Sequence, residues 1–97
     1  MIPTDTSRLT HHARLRMQQR GIPRAALDCV LAYGRVSHDH HGKRVVWLDK
    51  RSRERLGREE GRELVSRLDK HLDAYAVIDP ADKVVTVGHR YRRIRRH

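Results

Sequence analysis

Ninety-seven residues with 22 Lys and Arg against 12 Asp and Glu leave ten positive charges in excess before any of the 8 histidines is counted. At 37% apolar and 35% charged, with one Trp, three Tyr and no Phe, residues 1–97 read as one small domain whose core barely offsets the ordering entropy of the chain. Cys29 alone excludes an internal disulfide or a cysteine zinc site, and no apolar run approaches the roughly 18 residues of a membrane span, so a cytoplasmic protein with a polyanionic partner is expected.

Residues 1–9 form a polar N-terminal arm, and Met1 to Asp5 show no signal-peptide pattern. Thr10 is a good N-cap, Gly21 stands where a left-handed closing residue belongs, and Ile22 is placed to touch Met17, so a first helix is expected over 11–20. Pro23 suits the first position of a second helix, which carries Leu27, Val30 and Leu31 at helical spacing until Gly34. The period then changes. Arg35–Ser37 and Lys43–Leu48 are strand-like around the loop His38-Asp39-His40-His41-Gly42, with Val45 and Trp47 on one face. From Ser52 to Leu72 acids and bases alternate (Glu54 with Arg58, Glu63 with Arg67) beside a stripe of Leu64, Val65, Leu68 and Leu72, giving a third helix that Gly57 and Gly61 weaken. Ala74–Asp79 and Lys83–Tyr91 are strands around the turn Pro80-Ala81-Asp82. The expected class is α+β: an N-terminal helical hairpin on an antiparallel sheet of about four strands, in the order ααββαββ.

Three groups of residues stand out. His12, Arg16 and Arg20 follow one another at i, i+4 and i+8, with Leu15 to one side and Ala13 and Met17 to the other. They read either as an inward-looking cationic pocket that needs an anion, or as side chains that snorkel from the helix edge to surface acids. In the last strand, alternation places Val85, Val87, His89 and Tyr91 on one face and Val84, Thr86, Gly88 and Arg90 on the other. Five arginines in the final eight residues, Arg92 and Arg93 among them, are suited to phosphate, and 92–97 read as a basic tail. The third group, His38, His40 and His41 with Asp39, is either a metal site or a polar hairpin tip. Cys29 reads as a small core residue. No glycine-rich phosphate loop or paired-carboxylate motif is present.

The run from Leu9 to Ile22, with its His-Ala and Arg-Gly-Ile, resembles the opening of a family of uncharacterised bacterial domains placed in the barnase, EndoU, colicin E5 and RelE-like fold group. The closing Val87-Gly88-His89-Arg90-Tyr91-Arg92 is similar to the Gly-His-Arg ending of RelE and ParE toxins. The resemblance implies a metal-independent endoribonuclease of RelE-like toxin type, which needs no cofactor and cleaves RNA by attack of a 2′-hydroxyl on the adjacent phosphate. On that reading His12 is a general acid or base and His89 and Arg90 are its catalytic partners. Arg16, Arg20, Thr86, Tyr91, Arg92 and Arg93 hold phosphate. RNA, free or on the ribosome, is the substrate, and an acidic antitoxin or immunity-type protein is the inhibitor. The chain departs from the barnase pattern in lacking a glutamate base in a matching context. The alternative is a non-catalytic module of the same fold that binds nucleic acid or, as ParE does, a protein target.

Overall fold

The computed structural model describes residues 8–39 and 41–90. Helix α1 spans His11–Arg20. Its start and stop are local: the Thr10 hydroxyl accepts the Ala13 N–H at 3.1 Å, Gly21 takes a φ of 63°, and Ile22 N–H returns to the Met17 carbonyl at 2.9 Å. Helix α2 is Arg24–Tyr33, with Pro23 as its N-cap, one place before the position expected of it. Gly34 ends α2 in extended backbone, so its handedness is not what selects glycine. Space selects it: a Cβ there would lie 2.3 Å from the Val30 carbonyl oxygen and 2.6 Å from a Val46 methyl.

Strands β1 (Arg35–His38), β2 (Arg44–Trp47), β3 (Ala74–Ile78) and β4 (Val84–His89) form a four-stranded antiparallel sheet in chain order. The two hairpins close alike. Asp39 and Asp79 each use the carboxylate to accept the N–H of the lysine four residues on, while their own N–H groups donate to the carbonyls of Lys43 and Lys83.

Between β2 and β3 the single third helix expected from Ser52 to Leu72 is corrected to two. Helix α3 runs Lys50–Glu60 and α4 runs Arg62–Leu68, followed by a 3₁₀ turn at Asp69–His71. Gly61 breaks the run at φ 93°, ψ 159°, which a side chain resists, and Asp49 starts α3 earlier by accepting the Ser52 N–H. The order of helices and strands is therefore ααββααββ. The pairs Glu54–Arg58 and Glu63–Arg67, expected from spacing, are absent from the ion pairs among the described residues.

Helices α1 and α2 cover one face of the sheet: α1 lies on β4, and α2 on β2 and β3. Ala13, Leu27 and Val30 meet Val46, Ala76, Val84 and Val87 there, and Leu56, Leu68 and Leu72 extend the same core. Strict alternation along β4 is corrected by a bulge: Val77 pairs with Thr86 but Ile78 with Val84, so Val85 is the extra residue and Val84 joins Val87 on the buried face. Thr10 satisfies the bulge, donating its N–H to the Val84 carbonyl and its hydroxyl to that of Val85. Leu9, assigned by the sequence to the arm, is 5% exposed and bridges Val84, so it belongs to the core. The rest of the arm (1–7), His40, Tyr91, Arg92, Arg93 and the basic tail lie outside the described residues. Among the described residues no helix is long and apolar enough to cross a membrane.

Candidate nucleic-acid interface

Register carries one row of side chains across all four strands. Arg35 faces Trp47, Trp47 faces Tyr75 and Tyr75 faces Gly88, so the four share a face. Ser37, Val45, Val77 and Thr86 form the neighbouring row. These rows lie on the face opposite Val46, Ala76 and Val87, away from α1 and α2. The Tyr75 ring lies across Gly88, where a Cβ would come within 2.9 Å of its ring edge and hydroxyl.

Arg90 prolongs β4 by donating its N–H to the Asp73 carbonyl at 2.8 Å. Its guanidinium carbon stands 5.2 Å from the centre of the Trp47 ring. The Nε is buried without a hydrogen-bond partner, and among the described residues no carboxylate forms an ion pair with this side chain. Burial first, then the charge of Arg53, pushes the Arg90 guanidinium down from its ordinary value, against the pull of Asp49 and Asp73. A partly desolvated cation therefore lies on an aromatic face, with its buried Nε unpartnered.

His89, one residue earlier, points to the other face. Its Nδ1 is 2.8 Å from an Asp73 carboxylate oxygen and its Nε2 3.3 Å from the Arg20 carbonyl, with the His71 ring 5.8 Å away. The side chain is only 11% exposed. His89 thus ties the C-terminal end of α1 to the ends of β3 and β4.

The first helix does not look inward as its sequence suggested. Ala13 is its one buried residue, Leu15 is 41% exposed, and His12 and Arg20 face solvent. The physical reason is that the flanking Leu15 does not pack on the sheet; Ala13 and Met17 do, leaving the charged stripe on the rim. Arg16 donates through Nε to His12 Nε2 at 3.4 Å. Because α1 runs alongside β4 from Thr10 over Val85 to Arg20 at His89, His12 and His89 lie toward opposite ends of a helix whose rise over eight residues is about 12 Å. The structure does not bring His12 to His89, places Arg90 and Thr86 on the open face and His89 on the covered one, and sets His89 against the backbone carbonyl of Arg20.

In the first hairpin Asp39 spends its carboxylate on the N–H groups of His41 and Lys43, both at 2.8 Å, and the first of these bonds leads in holding its pKa down. Among the described residues no three potential ligands gather as a metal site. Cys29 is buried in the core, and burial, ahead of nearby acids, pushes its thiol up.

The open-face residues Trp47, Tyr75 and Arg35 were missed as site residues. The one available signal was the alternation that put Val45 and Trp47 together; which residues stand opposite them depends on pairing across 28 positions, from Trp47 to Tyr75. Comparison of the chain with protein-family models, with curated proteins and with solved structures gave no match.

Proposed function

We propose that the chain binds single-stranded nucleic acid, RNA in the first place, on the open face of its sheet. Bases stack against Trp47 and Tyr75, and Arg90 and Arg35 hold the phosphates between them. The observation that carries this reading is Arg90: half-buried, laid on the sole Trp of the chain, and with no carboxylate paired to it among the described residues. The excess of ten positive charges supplies the long-range attraction.

Trp47 is its own reporter. Titration with single-stranded oligouridylate should quench its fluorescence, and Tyr75→Ala should weaken binding by about 5- to 100-fold, the loss of one stacked base. Arg90→Gln should weaken it further while far-ultraviolet circular dichroism stays unchanged. Unaltered fluorescence at saturating RNA, or full affinity in the Tyr75→Ala, Arg90→Gln double variant, overturns the proposal.

Cleavage of RNA is the second reading; it needs a strand that also reaches the covered side of β4 at its end, where Asp73 holds the His89 imidazole. Acid or base work requires the ring to leave the Arg20 carbonyl. This reading expects fragments to accumulate in EDTA and to vanish with His89→Asn; RNA that stays whole, alone and with ribosomes, ends it and leaves binding.

A further inference from the structure

Beside the open face, at the junction of α2, β1 and α3, lies a groove of about 690 Å³. Arg35, Arg51, Arg55 and Arg58 line it, against the two acids Asp49 and Glu54. Asp49 is already committed: it caps α3 through the Ser52 N–H and hydroxyl and pairs with Arg35 at 3.5 Å. Arg55 is fixed by a 3.0 Å bond to the Tyr33 carbonyl, with its guanidinium 5.5 Å from the Tyr33 ring centre. Arg51 and Arg58 are exposed and make no ion pair among the described residues, although Glu54 and Glu59 lie within a turn of them on α3. Positions 51, 55 and 58 share one face of α3, spaced about 6 Å and then about 4.5 Å along its axis. The anchored Arg55 and the two unpaired arginines form a linear array of cations along α3, and the anchored Arg35 of β1 joins them in lining the groove.

The groove is continuous with the aromatic row. Arg35 both lines the groove and stands opposite Trp47, and its partner Asp49 lies close enough to Arg90 to act on it electrostatically. We propose that this groove is a phosphate rail: it takes the sugar-phosphate backbone of the same single strand whose bases meet Trp47 and Tyr75, and so extends the footprint beyond the sheet. The rail rests on the binding reading above. It adds affinity without base preference, because arginine meets only the phosphates there.

The test compares Arg51→Gln with Arg58→Gln, made together, against Arg62→Gln with Arg67→Gln, an equal loss of charge on α4 outside the groove. Binding of short and long oligouridylates is measured by Trp47 quenching over a range of salt. The groove variant should lower the slope of log K against log salt by about 1.4, two contacts at about 0.7 each, and should lose the extra affinity of the longer strand. Its binding of the short strand should stay nearly as in the wild type, and the α4 variant should keep the wild-type slope. If the wild type quenches normally but the two variants behave alike, the rail is wrong and the sheet reading stands. If the wild type fails to bind RNA, both fall. Competition by polyglutamate as strong as by RNA of equal charge assigns the groove to an acidic protein instead and overturns the proposal.

Discussion

At the scale of single residues, two glycines serve close approach rather than turning. A Cβ at Gly34 strikes backbone, which cannot yield, whereas one at Gly88 strikes the ring of Tyr75, which can swing. Gly34→Ala should therefore cost about 3 kcal/mol or more and Gly88→Ala about 1 kcal/mol, measured by urea midpoints. Gly88→Ala should also shift Tyr75 and weaken RNA binding. Tyr33 donates its hydroxyl to Glu60 at 2.7 Å; this bond first, with burial behind it, pushes the phenol up to about 12, and the same bond holds Glu60 below its usual range. The phenol's contribution is complete below its ordinary value of 10.0 and is lost as pH rises toward about 12. That of Glu60 is present above its ordinary 4.5 and is lost as pH falls through its lowered value. The stability gap between wild type and Tyr33→Phe should thus be widest near neutrality and close in both acid and strong alkali, as denaturant titrations across pH will show.

At the scale of elements, Thr10 does two things with one hydroxyl: it caps α1 and satisfies the carbonyl left over by the bulge at Val85. Thr10→Ala should cost about 1–2 kcal/mol, with most of it restored by Thr10→Ser, read from thermal unfolding. Gly57 has no such duty. A Cβ there meets only a Val65 methyl at 4.0 Å, so Gly57→Ala should stabilise the chain by up to about 1 kcal/mol in the same measurement. The two changes separate a residue chosen for structure from one that is merely tolerated. Caps were legible in the sequence because each is written within a few positions: Thr10 with Ala13, and Gly21 with Ile22. The break at Gly61 was legible only as weakness, since a helix survives one glycine or breaks at it according to what packs on either side, here Leu56 and Leu68 in a common core.

At the scale of the whole molecule, the chain carries ten excess positive charges, and their mutual repulsion is relieved by any bound polyanion. Ligand linkage turns the binding proposal into a stability measurement. Oligouridylate at about 100 times its Kd should raise the unfolding free energy by about 2.7 kcal/mol and lift Tm accordingly, and high salt should abolish the shift. Duplex of the same length should do less, because its bases are not free to stack on Trp47 and Tyr75.

What the sequence determined by itself was what is settled over short distances or by counting: net charge, the bounds of α1, the end of α2 at Gly34, the two hairpins, and an α+β chain with an antiparallel sheet. Alternation past the bulge also put His89 and Arg90 on opposite faces of β4, but the side taken by His12 was decided elsewhere. Leu15 could have faced the sheet or solvent, and the helical wheel is the same in either case; the packing of Ala13 on the sheet chose solvent and carried His12 and Arg16 outward with it. Likewise the row Arg35, Trp47, Tyr75 and Gly88 exists only through register between strands far apart in the chain. Register is fixed by which faces bury the most apolar surface together, a property of the folded assembly that no single segment contains.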